Sequence, residues 1–312
     1  MRREEMRIKI IMMAAAAACI FSFSACAEKM GEDASAESAA VREIISVKPN
    51  EFITEINTGN NHFYIADGIL YGSGINSSGQ LGLGKTDDLE VIYEEQEIAQ
   101  NVKHIDFNAE TLIYITEDNQ LYGLGLNHRG QLGQEIAVNN NSRAAENCIT
   151  RPVFITDDVR FAALGNSHIL ILKTDGTLWG IGDNVNGQLG IKKERVNNYS
   201  SPESYSAVPV YIMDKVVRIA AESYNSAAIT EIGSLYLWGD NSCGQIGNGK
   251  FGNGFPTISD CVSTRPEMIL EHMTDFYFTY EESRGVVCHA SSEWTGKEYW
   301  WRNSRPKLVE PE

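Results

Sequence analysis

The chain is poor in the residues from which most active centres are built. Its 312 residues include six histidines, six cysteines and eight prolines. His104, His128, His272 and His289 stand alone, with no His-Glu-x-x-His run and no paired spacing that would hold a metal. There is no Cys-x-x-Cys and no Gly-x-Ser-x-Gly elbow, so neither a redox pair nor a hydrolase nucleophile is written locally. The Gly-x-Gly pairs lead into turns and strands rather than a helix N-terminus, which rejects a dinucleotide fingerprint. Asp183 to Gly187 lacks the alternating spacing and closing Glu of a calcium loop. No cofactor and no metal are therefore expected. Positive charge is scarce too: 26 Lys and Arg face 42 Asp and Glu, for a formal net charge of −16. Nucleic-acid affinity rests on Lys and Arg neutralising phosphates, so nucleic acid is not expected as a partner.

Long apolar runs are also missing. The run from Ile10 to Phe23 falls short of the roughly 18 residues of a spanning helix. It follows a basic start of Arg2, Arg3, Arg7 and Lys9 and ends in Phe23-Ser24-Ala25-Cys26. A basic segment, a short apolar segment and small residues read as a secretory signal. Cys directly after Ser-Ala resembles the lipobox of bacterial lipoproteins, with Phe23 where that family usually has Leu. The resemblance implies a signal peptide over residues 1–25, cleavage before Cys26 and a lipid on Cys26. The protein would then be anchored to a membrane and face outside the cytoplasm. Residues 26–43, rich in Glu, Ser and Ala, read as the lipidated Cys and a flexible tether.

What the rest of the chain has in abundance is repetition. Leu178 to Gly190 reads LWGIGDNVNGQLG; Leu70 to Gly82, Leu121 to Gly133 and Tyr236 to Gly247 repeat it. The Gly-Gln pairs are Gly79-Gln80, Gly130-Gln131, Gly187-Gln188 and Gly244-Gln245. A block returning at about this period marks one structural unit copied along the chain. Each copy opens with an apolar run such as Ile169 to Leu172, turns at a site like Asp175-Gly176, and continues into a second short strand. The runs do not alternate, so both strand faces must be covered, as when small sheets stack around a ring. The strand glycines, Gly180 and Gly182 for example, allow close approach of neighbouring backbone, and the turn Leu is expected to point inward. Phe52 to Ile56 reads as an edge strand entering the first copy.

This pattern is similar to the regulator of chromosome condensation repeat family. The third copy carries it best, in Gly165, His168, Asp175, Gly176, Trp179, Gly180, Asn184, Gly187, Gln188 and Gly190. The resemblance implies an all-β fold: a β-propeller of four clear repeats plus a degenerate fifth, seven blades being usual in the family. Residues 44–312 would form the propeller, in units at about 56–101, 102–158, 159–215, 216–272 and a degenerate 273–312. In the last unit Tyr299-Trp300-Trp301 stands for the second strand. Because an open arc leaves an uncovered apolar face, closure of the ring by five blades is expected. His62 and His168 occupy the family's repeated position and are assigned a structural role.

The segments Lys85 to Asn101, Gln134 to Asp158, Ile191 to Asp214 and Asn248 to His272 do not repeat, and such insertions gather on one rim. Tyr93, Tyr199, Tyr205, Tyr211, Phe251 and Phe255 lie there and are the candidate partner-binding loop residues, either exposed for a partner or packed back on the blades. Cys148, Cys243, Cys261 and Cys288 either form disulfides, with Cys243 and Cys261 the nearest pair, or remain thiols. The expectation is a non-catalytic, membrane-anchored binding module for a protein partner. Family members that act on small GTPases or chromatin work inside eukaryotic cells, so no small GTPase partner is expected. The alternatives are a carbohydrate or cell-wall binding protein, and an enzyme with its site in the propeller mouth.

Overall fold

The computed structural model describes residues 52–136, 144–191, 204–250, 262–281, 285–302 and 305–309. The signal segment, Cys26 and the tether lie outside them, as do Tyr199, Phe251, Phe255 and Cys261. The described strands form five four-stranded antiparallel sheets, each a simple meander, in chain order. Blade 1 holds β1 (Glu55–Asn57), β2 (Asn61–Ala66), β3 (Ile69–Asn76) and β4 (Asp87–Gln100). Blade 2 holds β5 (Val102–Phe107), β6 (Thr111–Thr116), β7 (Leu121–Leu126) and β8 (Cys148–Thr156). Blade 3 holds β9 (Val159–Leu164), β10 (His168–Lys173), β11 (Leu178–Asp183) and β12 (Tyr205–Met213). Blade 4 holds β13 (Val216–Glu222), β14 (Asn225–Thr230), β15 (Leu235–Asp240) and β16 (Val262–Leu270). The degenerate fifth unit is a complete blade of β17 (Asp275–Glu281), β18 (Gly285–Ser292), β19 (Lys297–Trp301) and β20 (Lys307–Leu308).

Two sequence expectations shift in position. Most of the Lys85 to Asn101 segment is strand β4, because Val91, Ile92, Tyr93 and Ile98 favour a pleated surface. The entering strand starts at Glu55 rather than Phe52. Phe52 and Ile53 instead cross to blade 2, where the Ile53 carbonyl accepts from Ile105 N–H at 3.0 Å and the Ile53 N–H donates to His104 Nδ1 at 2.9 Å.

The non-alternating runs behave as their composition demands. β6 and β14 are buried along their whole length, and β10 is buried from His168 to Leu172. Each seam between blades repeats one contact. The cross-strand pairs Leu112↔Leu124, Ile169↔Ile181, Ser226↔Trp238 and Cys288↔Trp301 occupy the same register in blades 2 to 5. The last glycine of the preceding blade's turn sits against the second member of each pair. A Cβ on Gly82, Gly133, Gly190 or Gly247 would lie 3.3 Å from Leu124, 3.7 Å from Ile181, 2.9 Å from Trp238 or 2.5 Å from Trp301. Trp238 and Trp301 add an indole N–H bond to the carbonyl of Gln188 and Gln245, at 2.9 and 3.0 Å.

Inner strands pack in sequence: β1 on β5, β5 on β9, β9 on β13 and β13 on β17. Among the described residues β17 makes no such packing with blade 1, so the expected closure of the ring by five blades is not found. The reason is visible in blade 1. Its equivalent pair is His62↔Ser73, and β2 alternates buried and partly exposed residues where β6, β10 and β14 do not. At this register the pair itself offers no apolar side chain to bury against another sheet.

Candidate functional site: the turn rim of the propeller

In a meander the first and third connections of every blade fall at one end, opposite the β2–β3 type hairpin. That end therefore carries all four Asn-x-x-Gly-Gln turns together with the non-repeating insertions. The turns use up their own polar groups. The Oε1 of Gln80, Gln131, Gln188 and Gln245 accepts the N–H two residues earlier, from Ser78, Arg129, Asn186 and Cys243, each at 2.9 Å. The Oδ1 of Asn76, Asn127, Asn184 and Asn241 accepts the N–H of Leu81, Leu132, Leu189 and Ile246 at 2.9 to 3.0 Å. Those four apolar residues are buried, as the sequence suggests. The last strand glycine is required on two counts. At φ of 102° to 114° Gly74, Gly125, Gly182 and Gly239 occupy the left-handed half of the map, and a Cβ there would run into the carbonyl oxygen of Asn60, Glu110, Ser167 or Tyr224.

The mouth of the central channel at this rim is laced between blades. Asn108 of blade 2 donates to the carbonyls of Gly165 and Asn166 of blade 3, and the Asn166 N–H donates to Ser223 of blade 4. His168 Nε2 meets Ser226 Oγ of blade 4 at 2.9 Å, consistent with a structural role. Burial holds the His168 imidazole down to about 3 and that of His104 down to about 4, so both are neutral at ordinary pH. Asp106 accepts from the N–H of Phe107 and, across the seam, of Leu164. Burial pushes its carboxyl up to about 6 against those two hydrogen bonds, helped by the charge of Glu222. Glu222, raised by burial, accepts from the Ser223 hydroxyl. A carboxyl near 6 has the tuning of a general acid, but both Asp106 oxygens are engaged by backbone, which makes it a tie between blades. Arg129 reaches from the blade 2 turn to Asp183 of blade 3, with Nε 3.4 Å from Oδ1 and both side chains at most 4% exposed. Burial raises the Asp183 carboxyl, while Arg129 and the Gln188 amide, at 2.7 Å, favour its charged form. Among the described residues no three His, Cys, Asp or Glu side chains gather as metal ligands would.

Three of the six predicted partner-binding residues are among the described residues. Tyr93, Tyr205 and Tyr211 lie in strands β4 and β12, not in loops. Tyr93 is 86% exposed on blade 1, Tyr211 is edge-on against Trp179, and Tyr205 packs beside Gly130 of the blade 2 turn. Tyr199, Phe251 and Phe255 fall outside the described residues. Cys288 is buried and donates to the Gln245 carbonyl, and Cys261 lies outside the described residues. Sequence reasoning missed the Arg129–Asp183 lock and the Asp106 tie, since both join residues more than 50 positions apart. It also missed the polar outer face of blade 1. A signal for that face existed: Ser73 stands where the siblings have Leu124, Ile181 and Trp238.

Residues 159–188 and 216–245 match the model of the regulator of chromosome condensation (RCC1) repeat, and 175–229 match a second model of it. This part of the chain is similar to regulator of chromosome condensation repeats. The human X-linked retinitis pigmentosa GTPase regulator is 32% identical over 149 residues, 46% of this chain and 13% of its own. The bovine secretion-regulating guanine nucleotide exchange factor is 29% identical over 203 residues, 62% of this chain and 42% of its own. The chain thus spans less than half the length of these relatives. Crystal structures of yeast Prp20, one of them bound to Kap60, superpose with TM-scores of 0.63 and 0.62 at 15% and 16% identity. They cover 84% and 83% of this chain and 64% and 61% of their own, which shows the RCC1-type propeller fold. Propellers of this repeat serve protein interaction or nucleotide exchange on other proteins. The relatives' names give no support to the expectation that a small GTPase is excluded.

Proposed function

We propose that this protein is a non-catalytic binding module, held outside the cytoplasm by a lipid on Cys26, that recognises a protein through the turn rim of its propeller. One observation carries the reading: the repeated turns spend their recurring Asn and Gln side chains on their own backbone. Recognition therefore falls to the insertions that differ from blade to blade on the same rim. The mouth's carboxylates and histidines act as ties between blades, which favours binding over chemistry. Two or three acyl chains at about 0.8 kcal/mol per buried methylene would hold the module firmly on a bilayer.

Crosslinking on intact cells followed by mass spectrometry tests the rim. The expected result is one protein recovered with the wild type and lost when residues 192–203 and 251–261 are replaced by Gly-Ser linkers. Recovery unaffected by those replacements contradicts the reading. Metabolic acyl labelling that persists in Cys26→Ser would refute the anchor. A second reading, nucleotide exchange on a small GTPase, is favoured by the names of the relatives. It predicts faster release of a fluorescent GDP analogue from a GTPase partner, and unchanged release removes it.

A further inference from the structure

The outer face of blade 1 carries His62 and Ser73 where the equivalent faces of blades 2 and 3 carry Leu112 and Leu124, and Ile169 and Ile181. Below that pair runs a column of rings, as at the equivalent Tyr114 and Tyr122 of blade 2, but here partly exposed and bordered by carboxylates. His62 stacks on Tyr64 with centroids 5.2 Å apart, and Tyr64 stacks on Tyr71 at 5.3 Å. Carboxylates border the column. His62 Nε2 lies 3.1 Å from Glu55 Oε1, and the Tyr64 hydroxyl donates to Glu95. Glu97 pairs across from Tyr71 in the β3–β4 register. Strand alternation adds Tyr93: Ile92 packs inward on the core shared with blade 2, so Val91 and Tyr93 face outward with Glu95. Ser73 completes the face, which carries no Lys or Arg among these residues.

We infer that this face docks a Lys- or Arg-bearing segment of a partner protein, with Tyr64, Tyr71 and Tyr93 receiving the methylene stems and Glu55, Glu95 and Glu97 the cationic heads. The argument is complementarity. Long basic side chains lay their stems on apolar rings and keep their charge at the edge, where carboxylates bind it by charge-assisted hydrogen bonds. The surface is separate from the insertions of the turn rim, so it stands or falls independently of them.

The test uses the full chain and a fluorescein-labelled peptide of alternating lysine and serine, with a glutamate–serine peptide as control, followed by anisotropy. The lysine peptide is expected to bind and the glutamate peptide not. The triple variant Glu55→Gln, Glu95→Gln, Glu97→Gln should weaken binding at least tenfold. An equal loss of charge at Glu117→Gln, Glu231→Gln, Glu293→Gln, exposed and away from the face, should change it less than twofold. Tyr64→Ala with Tyr71→Ala should weaken it about fivefold with all carboxylates present. Equal weakening by the two charge triples would mean general attraction to an acidic surface and would overturn the inference. No binding by the wild type would overturn it as well. So would concentration-dependent self-association in sedimentation that the first triple abolishes, since the occupant would then be a second copy.

Discussion

The seam between blades 4 and 5 and the open face of blade 1 use the same cross-strand position for opposite ends. At the seam the pair is Cys288↔Trp301, and the indole closes over the Gly247 turn with a bond to the Gln245 carbonyl. At the open face it is His62↔Ser73, partly exposed, with the imidazole turned to Glu55. Burying roughly 200 Å² of indole at about 25 cal/mol/Å² supplies about 5 kcal/mol before entropy, and a serine supplies almost none. The same register thus holds a buried apolar pair at one face and a partly exposed polar pair at the other.

Substitutions that attack the seam should far outweigh those on the open face. Gly239→Ala combines a φ of 110° with a collision at the Tyr224 carbonyl, and should cost more than about 4 kcal/mol in urea unfolding. Trp301→Ala should cost about 3 to 5 kcal/mol by emptying a fully buried site. Gln188→Ala, which strips an acceptor from Asn186 N–H and a donor from Asp183, should cost about 2 kcal/mol. Acid should open the seams through the buried histidine. The folded-state value of His168, about 3, lies below its ordinary 6.5, so the unfolded chain takes the proton first. Its contribution is complete above pH 6.5 and is lost as pH falls toward 3, at about 1.4 kcal/mol per pH unit. His104 acts in the same direction and Asp106, raised to about 6, in the opposite one. Stability measured at pH 6.5 and 5 should fall by about 2 kcal/mol less in His168→Asn than in the wild type. Ser73→Ala on the open face should stay within about 0.5 kcal/mol of wild type.

The blades were legible in the sequence because each is closed locally. Asn184, Gln188 and Leu189 interact within five residues, Asp175-Gly176 makes its own hairpin turn, and four copies repeat the grammar. Even Trp301 declared its strand after the glycines of the pattern had gone. What joins blades was harder to read, since Asp106 reaches Leu164 and Arg129 reaches Asp183 over more than 50 residues with no local pattern to mark them. The partly exposed pair of blade 1 had a local trace that repetition obscured: Ser73 stands where the sibling strands carry Leu124, Ile181 and Trp238. Tyr93, Tyr205 and Tyr211 read as loop residues and lie in strands, because composition does not tell an outer strand from a loop. Tyr93 and Tyr211 sit on pleated edges.

Thiol labelling at the repeated position tests the central contrast most directly. In a background with Cys148, Cys243, Cys261 and Cys288 replaced by serine, Ser73→Cys and Leu124→Cys place the same probe at the same register in blades 1 and 2. The account predicts that a maleimide modifies Ser73→Cys at the rate of an exposed thiol and leaves Leu124→Cys untouched in the native protein. Equal protection of the two would mean that the outer face of blade 1 is covered, and would contradict an open arc.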